Sequence, residues 1–476
     1  MQPWIFTPPP APCFAAAELR RRQVLSLYPA GAGILTKQAG PTATLAALAG
    51  AGIQPGFLFH KNGEYLKWLI HICQRFTKKR ITYPPATLVM HELAAKANAL
   101  FQQHFGTQPL LVRSPGRINI IGEHTDYNAG FVLPAAIDKA AYLAIQLRED
   151  DEIHLIAADL AESYTTRVSA LQPRTAPSWP DYLFGAAAQF LAKGLPLPGF
   201  NAVLTSNVPM GAGLSSSAAV ECATIFGLNH LLQTPLPRTT MALMAQQAEH
   251  QYAGVKCGIM DQFASVMGKK DHVIKLDCRS LQYEYVPLQL PGYKVLLLNT
   301  NVKHSLASSA YNERRAHCEE AVALIQAHHP EVQALRDASE AMLRTYVQPV
   351  NQQAYVHSLY VIQEIARLEA ACQALQHGDI QQLGTLLYTT HQGLSQMYQV
   401  SCKELDWLVE QVRPYPQVLG ARMMGGGFGG CTINLVKEEA IDSLVATLKP
   451  GYEQAMQLPL TYYIASVDDG TSLVEA

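Results

Sequence analysis

The order of elements in the middle of this 476-residue chain constrains its fold more than any other feature. A strand-like apolar segment at 202–204 leads into the loop 206–219, which reads SNVPMGAGLSSSAA, and an apolar run of helical length follows at 220–232. Gly211 and Gly213 permit a tight turn with unhindered backbone amides. We therefore expect a helix here that packs on a sheet.

Three serines end this loop, at the first turn of the following helix. Free backbone N–H groups and the positive end of the helix dipole make that position an anion site, and adjacent hydroxyls can donate to phosphate or coordinate Mg²⁺. The loop is not a Walker A motif because no lysine follows the glycines, and it is not a Rossmann fingerprint because Ser216 replaces the third glycine. A helix cap with a flexible lead-in explains the same pattern without a ligand.

Apolar strands and helical runs alternate along most of the chain. Segments 110–112, 295–298 and 432–436 are predicted strands, and segments 218–232 and 361–375 are predicted helices. No internal repeat or obvious linker interrupts them. This alternation predicts an α/β or α+β fold in which two lobes share one cleft.

The first 89 residues differ in composition from the rest. They carry ten Lys/Arg, two acidic residues and ten of the 29 prolines, whereas residues 90–476 carry 26 basic and 36 acidic residues. The clustered prolines and the lack of sustained apolar periodicity predict a poorly structured segment. The whole chain is 49% hydrophobic and 16% charged with a formal net charge of −2, which argues against a strongly basic nucleic-acid binder.

Nine cysteines are spread along the chain without CxxC spacing or zinc-finger periods. The odd count and this spacing argue against a disulfide framework or a structural zinc site and favour a reducing compartment. No uncharged apolar run reaches the roughly 18 residues that a membrane-spanning helix needs. We therefore predict a cytoplasmic protein without nucleic-acid or membrane partners.

Residues 113–134, RSPGRINIIGEHTDYNAGFVLP, concentrate charged side chains among apolar ones. Glu123, His124 and Asp126 stand one or two residues apart on a predicted turn, where they can point into one small polar pocket. Such a pocket suits a polyol, because each hydroxyl donates and accepts while Asp and Glu only accept. Arg117 can pair with a carboxylate or with a transferring phosphoryl group. A solvated charged turn is the alternative.

Two further segments carry residues suited to phosphoryl transfer. This reaction needs a metal ligand, an orienting or basic carboxylate, and positive charge on the phosphoryl oxygens. In 248–263, AEHQYAGVKCGIMDQF, Glu249 and Asp261 are candidates for the two acidic positions, although a helix cap or a surface acid would also explain Asp261. In 422–431, RMMGGGFGGC, five glycines permit close approach of a ligand or form only a packed turn.

In this order and together, the four segments are similar to the motifs of the GHMP small-molecule kinases, and within them of the galactokinase family. They are RINIIGEHTDYN at 117–128, PMGAGLSSSA at 209–218, GIMDQF at 258–263 and GGGFGGC at 425–431. The resemblance begins near residue 90 and reaches the C-terminus. It implies a two-lobed α+β fold, with lobes at 90–295 and 296–476 and the active site in the cleft between them.

The resemblance implies a monomer that transfers the γ-phosphoryl group of ATP to the C1 hydroxyl of α-D-galactose, with Mg²⁺, in galactose catabolism by the Leloir pathway. Asp261 matches the carboxylate that orients or deprotonates the sugar hydroxyl, and Arg117 matches the arginine that stabilises Asp261 and the moving phosphoryl group. The implied sugar-binding residues are Glu123, His124, Thr125, Asp126, Gly258 and Tyr311. The implied nucleotide-binding residues are Pro209, Met210, Gly211, Ala212, Gly213, Leu214, Ser215, Ser216, Ser217 and Trp179, and the implied magnesium ligands are Ser217 and Glu249.

Two alternatives within the resemblance stay open. Another GHMP sugar kinase would act on N-acetylgalactosamine, galacturonate or arabinose; Thr125 favours galactose, because N-acetylgalactosamine kinases tend to carry an apolar residue there. A non-catalytic galactose sensor would carry lesions in the serine loop, which is intact here. The sequence departs from the family pattern at 354–360, which lacks basic residues, and at Met397, which replaces an acid.

All four motifs follow Met90, and residues 90–476 have about the length of a whole member of the resembled family. Residues 1–89 have no counterpart in the resemblance. We therefore expect translation to start at Met90 and the upstream segment to be a mis-called reading frame. A genuine leader or a disordered extension is the alternative.

Overall fold

The computed structural model describes residues 92–302 and 307–475, which belong to one compact unit of the chain. The predictions for residues 1–89 and for a start at Met90 lie outside the described residues. Within the described part, helices and strands are mixed and most strand pairs are antiparallel, which confirms the α+β class. None of its helices combines the length and the apolar character needed to cross a bilayer.

The described part contains thirteen strands and eleven α-helices, numbered here in chain order. The strands are β1 (Leu110–Asn119), β2 (Phe131–Val132), β3 (Pro134–Leu147), β4 (Glu152–Ala157), β5 (Glu162–Arg167), β6 (Phe200–Ser206), β7 (His272–Asp277), β8 (Tyr283–Pro287), β9 (Tyr293–Asn299), β10 (Val418–Met423), β11 (Cys431–Lys437), β12 (Thr461–Ala465) and β13 (Ser472–Leu473). The helices are α1 (Glu92–Phe105), α2 (Trp179–Ala192), α3 (Ser216–Leu231), α4 (Arg238–Ala248), α5 (Met260–Met267), α6 (Ala307–Gln326), α7 (Glu340–Met342), α8 (Gln352–Gln376), α9 (Ile380–Gln392), α10 (Lys403–Val412) and α11 (Ile441–Met456).

A six-stranded sheet with the order β13-β1-β3-β6-β4-β5 combines five strands from the first half of the described part with β13 from near the C-terminus. Its neighbours are antiparallel except for β4 and β6, which run parallel. Helices α3 and α5 contact β1 and β3, while α1 contacts β3 and β6. Successive strand residues point to opposite faces, so Leu143 packs in the main core and the next residue, Ala144, packs against α1.

A four-stranded antiparallel sheet with the order β10-β11-β9-β12 lies in the second half, and β2, β7 and β8 form a third sheet. The predicted lobe boundary between residues 295 and 296 falls inside β9. Since β9 pairs with β11 and β12, a boundary just before Tyr293 would keep this sheet whole. The division into two lobes at that point is our proposal.

The predicted strands and helices are confirmed, with two differences in extent. Segments 202–204, 295–298 and 432–436 lie in β6, β9 and β11, and segments 218–232 and 361–375 lie in α3 and α8, with α3 ending one residue earlier. The strand predicted at 110–112 instead continues to Asn119, with an irregular register between Pro115 and Arg117. A bulge tolerates proline within a strand, which explains why Ser-Pro-Gly does not end this one.

Gly116 in that bulge brings β1 close to the serine loop. A Cβ atom on Gly116 would lie 2.5 Å from the carbonyl oxygen of Leu214. Without a side chain there, the backbone N–H of Arg117 donates to the same carbonyl at 3.1 Å. The fold thereby joins the motif that carries Arg117 to the loop that carries the serines.

Candidate active site

Two cavities lie near the serine loop: loop residues line the smaller one, and Asp261, which Ser215 contacts, lines the larger one. The larger one has a volume of about 620 Å³, and its wall comes from both halves of the described part. The smaller one has a volume of about 220 Å³ and is lined by residues between 157 and 220. Seven of the predicted site residues line the larger cavity: Arg117, Glu123, His124, Asp126, Gly258, Asp261 and Tyr311.

Asp261 is held by two side chains, those of Arg117 and Ser215, at the wall of the larger cavity. It lies in the first turn of α5, and its carboxylate accepts from Arg117 Nε at 2.9 Å and from Arg117 Nη2 at 2.8 Å. Ser215 Oγ donates to Asp261 Oδ2 at 2.5 Å. A third Arg117 nitrogen, Nη1, donates to the carbonyl of Gly213. A bidentate Arg–carboxylate pair fixes orientation as well as charge, so Asp261 has one defined position beside the loop.

The loop itself has the backbone that its glycines predict. Gly211 and Gly213 have φ values of 72° and 75°, and Ser215 also adopts the left-handed conformation, with φ 59°. Helix α3 begins at Ser216. Its first turn therefore presents N–H groups without intrahelical partners together with the positive end of the dipole, which is a site for an anion.

Ser217 and Glu249 meet next to this helix start. Ser217 Oγ donates to Glu249 Oε1 at 3.1 Å, and Gln262 Nε2 donates to Glu249 Oε2 at 2.6 Å. Burial, together with the negative charge of Asp261, raises the pKa of Glu249 to about 7 despite these hydrogen bonds. An added cation would relieve this cost, because it favours the charged form of the carboxylate.

Glu123 is fixed by groups from the distant glycine-rich segment. Its Oε1 accepts from Arg422 Nη1 at 3.0 Å and from the backbone N–H of Gly425 at 2.8 Å. Arg422 has no exposed surface and also donates to the carbonyls of Asn119 and Ile120. Burying a charge is costly unless it is paired, so these partners hold the Glu123 loop against β10.

His124 and Asp126 lie on the same loop, and the pKa values of both side chains are shifted from their ordinary values. Burial, followed by the positive charge of Arg314, lowers the pKa of His124 to about 3, so its ring is neutral. Burial and the negative charges of Asp261 and Glu123 raise the pKa of Asp126 to about 6, although backbone hydrogen bonds act against the shift.

Gly258 approaches this loop so closely that no side chain fits. A Cβ atom on Gly258 would lie 1.7 Å from Asp126 Oδ2. The glycine therefore lets the segment before α5 pack against the Asp126 carboxylate.

Thr125 is placed differently from its neighbours. It has no exposed surface and is absent from the cavity wall, and its hydroxyl lies 2.9 Å from the carbonyl oxygen of Gly122 and 2.5 Å from that of Phe131. The structure therefore does not bring Thr125 to the larger cavity with the other sugar-binding candidates. The Thr125 hydroxyl instead contributes to the shape of the loop, because it lies within hydrogen-bonding distance of backbone carbonyls on both sides.

Trp179 and part of the serine loop line the smaller cavity. The indole N–H of Trp179 donates to Glu162 Oε2 at 2.7 Å. Ser216 and Ser217 form one edge of this cavity, together with Met210, whose side chain is 72% exposed. The remaining wall is mostly apolar and comprises Ala157, Asp159, Leu160, Tyr182, Leu204, Ser206, Val208 and Val220.

Several residues that support the site were not predicted from the sequence. Glu364, fully buried on α8, accepts from the backbone N–H of Gly122 at 2.9 Å and from Thr390 Oγ1 at 2.9 Å. Tyr360, one turn earlier, donates to the carbonyl of Glu123 at 3.3 Å. The run 361–375 also contains Gln363, Arg367 and Glu369, so no sequence signal distinguished Glu364 as a buried residue.

Three family models match the chain. The model described as "Galactokinase galactose-binding signature" matches residues 99–147, "GHMP kinases N terminal domain" matches 181–269, and "GHMP kinases C terminal" matches 371–453. Together with the fold and the serine loop, these matches define a small-molecule kinase of the GHMP class.

Individual relatives show to which family of this class the chain belongs. A galactokinase of Chloroflexus aggregans is 40% identical over 79% of this chain and 97% of its own length, and human galactokinase is 40% identical over 80% and 97%. The crystal structure of Lactococcus lactis galactokinase complexed with galactose is 32% identical and superposes with a TM-score of 0.75, over 79% of this chain and 98% of that one. The chain belongs to the galactokinase family.

Proposed function

We propose that this protein is a galactokinase, which transfers the γ-phosphoryl group of ATP to the C1 hydroxyl of α-D-galactose and releases ADP and galactose 1-phosphate. The observation that carries the proposal is the position of Asp261. Arg117 and Ser215 clamp its carboxylate where the polar cavity meets the start of α3. A carboxylate at that junction can contact a sugar hydroxyl on one side and a phosphoryl group on the other.

The larger cavity supports the sugar half of the proposal. Glu123 and Asp126 supply acceptor oxygens, and the neutral His124 ring supplies a polar nitrogen beside them. A sugar hydroxyl both donates and accepts, so this mixture of groups can satisfy several hydroxyls at once. Tyr311, on α6, has its ring centroid 5.6 Å from that of His124 and completes the aromatic side of this wall.

The smaller cavity and the serine loop support the nucleotide half. An apolar slot beside Trp179 suits a flat base, and the adjacent start of α3 suits phosphates. Ser217 and Glu249 provide adjacent hard oxygen donors, which fit Mg²⁺. Within the described residues, no group of three or more His, Cys, Asp or Glu side chains could hold a metal. This agrees with an ion that is bound partly by protein side chains and partly by the nucleotide phosphates.

The chemistry follows from this arrangement. Asp261 orients the C1 hydroxyl and can accept its proton while the C1 oxygen bonds to the γ-phosphorus and the bond from that phosphorus to the β,γ-bridging oxygen breaks. Arg117 holds the Asp261 carboxylate in place and puts positive charge beside the moving phosphoryl group. Mg²⁺, when bound, would neutralise charge on the phosphate oxygens. Positioning and charge stabilisation thus supply the catalysis without a covalent intermediate.

A coupled ADP-release assay over a panel of sugars tests the proposal. We expect the highest kcat/KM with galactose and much lower values with N-acetylgalactosamine, galacturonate and arabinose. A preparation of Asp261→Asn, purified in parallel, controls for contaminating kinases. Preference for another sugar would assign the chain to a different GHMP activity, and binding of galactose and ATP without turnover would make it a sensor; either result contradicts the proposal.

A further inference from the structure

The His124 side chain has one occupied and one free ring nitrogen. Its Nδ1 lies 2.8 Å from the hydroxyl oxygen of Tyr127, whereas its Nε2 is buried and has no hydrogen-bond partner among the described residues. The ring lines the larger cavity, and only 5% of the residue is exposed. A buried polar atom without a partner is costly, so Nε2 is available for a ligand.

The contact with Tyr127 is the first link of a longer chain of hydrogen bonds. The Tyr127 hydroxyl lies 2.7 Å from the Tyr398 hydroxyl, which in turn lies 3.4 Å from Sγ of Cys318. Arg314 fixes the far end by donating from Nε to the carbonyl of Tyr398 at 2.7 Å. The chain therefore links the sugar-binding loop to α6 and to the segment that follows α9.

We propose that Tyr127 and Tyr398 are positioning residues that hold neutral His124 in the tautomer with its proton on Nε2. In this arrangement the thiol of Cys318 donates to Tyr398, Tyr398 donates to Tyr127, and Tyr127 donates to Nδ1 of His124. Nε2–H is then the donor that binds a hydroxyl oxygen of the sugar. This role rests on the proposed galactokinase function, while the tautomer itself is a property of the free protein.

The surroundings of the ring favour this direction of donation. Glu123, Asp126 and Asp261 line the same cavity, and ionised carboxylates only accept. With its proton on Nε2, the His124 ring adds a donor beside these three acceptors.

The tautomer can be read directly from nitrogen chemical shifts of ¹⁵N-histidine-labelled protein without ligands. The His124 signals are assigned by their disappearance in His124→Asn. We expect wild-type His124 to show a single neutral tautomer with the proton on Nε2, and Tyr127→Phe to show a mixture of the two tautomers. Tyr388→Phe is the matched control, because the Tyr388 hydroxyl is buried without a hydrogen-bond partner in the described part and lies outside the site.

Kinetics test the consequence for the sugar. Tyr127→Phe should raise the KM for galactose about tenfold, the effect of losing one well-oriented hydrogen bond, with kcat and the KM for ATP nearly unchanged. Tyr398→Phe should act in the same direction but less, since Tyr127 can still donate to His124. Melting temperatures of all variants identify any general loss of folding.

The two arms separate failure of this inference from failure of the proposed function. A wild-type proton on Nδ1, or a Tyr127→Phe variant with the wild-type tautomer and galactose KM, overturns the inference even if the protein phosphorylates galactose. If no sugar is phosphorylated but the spectra show the expected tautomers, the positioning by Tyr127 stands and the proposed function fails.

Discussion

The two cavities beside the serine loop are built in opposite ways. The larger one is rich in charged side chains, and its walls come from four stretches of chain separated by up to 300 residues, at 117–126, 254–261, 311–319 and 425–428. The smaller one is mostly apolar and is assembled from residues 157–220 alone.

This difference reflects what each cavity has to recognise. Hydroxyl groups are distinguished by donors and acceptors at fixed directions, so the Glu123 loop needs support from outside, which Arg422 and Glu364 provide. A flat aromatic base requires mainly an apolar slot of the right width, which the strands, helices and loops of residues 157–220 form locally. Polar recognition therefore depends on long-range contacts, whereas apolar recognition depends on local ones.

The largest expected effect lies at Asp261, which lines the larger cavity and contacts Ser215 of the serine loop. Asp261→Asn keeps the shape of the side chain but removes its charge, its capacity to accept a proton and half of the bidentate pair with Arg117. We expect kcat to fall by at least ~10²-fold, in line with the contribution of a positioned base, with smaller changes in both KM values. Steady-state kinetics measure this, with the exposed Asp442→Asn on α11 as control. Near-normal turnover in a correctly folded variant would refute the role of Asp261.

A smaller effect should be confined to the apolar cavity. Trp179→Ala removes the largest side chain of its wall and should raise the KM for ATP about tenfold, while the KM for galactose stays within about twofold. Trp179→Phe keeps an aromatic face and should remain close to wild type, which separates loss of the face from loss of the indole hydrogen bond to Glu162. An equal rise in the galactose KM would show that the two cavities are not independent.

Most of the chemistry could be predicted from the sequence because it is concentrated in short segments. Asp261, Arg117 and the serines stand in four motifs, and the glycines around them indicated close packing. Ser217 and Glu249 were assigned as a pair, and the structure brings their side chains together.

The support around that chemistry could not be predicted in the same way. The partners Glu123 and Arg422 are separated by 299 positions, and no local pattern reports such a contact. The continuation of β1 through Ser-Pro-Gly was missed for a related reason. Those residues usually end a strand. Here the strand continues, and the close approach of the Leu214 carbonyl to Gly116 favours its continuation. Thr125 was assigned to the sugar from its place in a motif, but its hydroxyl is used by the backbone of its own loop.

The smallest expected effect concerns the free energy of unfolding, because the larger cavity buries the carboxyl group of Asp126. Since the pKa of Asp126 rises from its ordinary 3.8 to about 6 in the folded protein, ionisation of this carboxyl destabilises the fold, and the penalty is complete above about pH 6. Asp126→Asn should therefore raise the melting temperature by a few degrees at pH 8 and leave it unchanged near pH 4, while it weakens galactose binding. Asp277→Asn is the control with the opposite sign: burial alone would raise the pKa of Asp277, but hydrogen bonds from Arg336 and the backbone lower it overall, so its loss should destabilise. Melting curves of both variants from pH 4 to 8 measure the difference. An Asp126→Asn variant that is less stable than wild type at pH 8 would show that the carboxylate stabilises the loop, and that polar recognition in this cavity carries no cost in folding free energy.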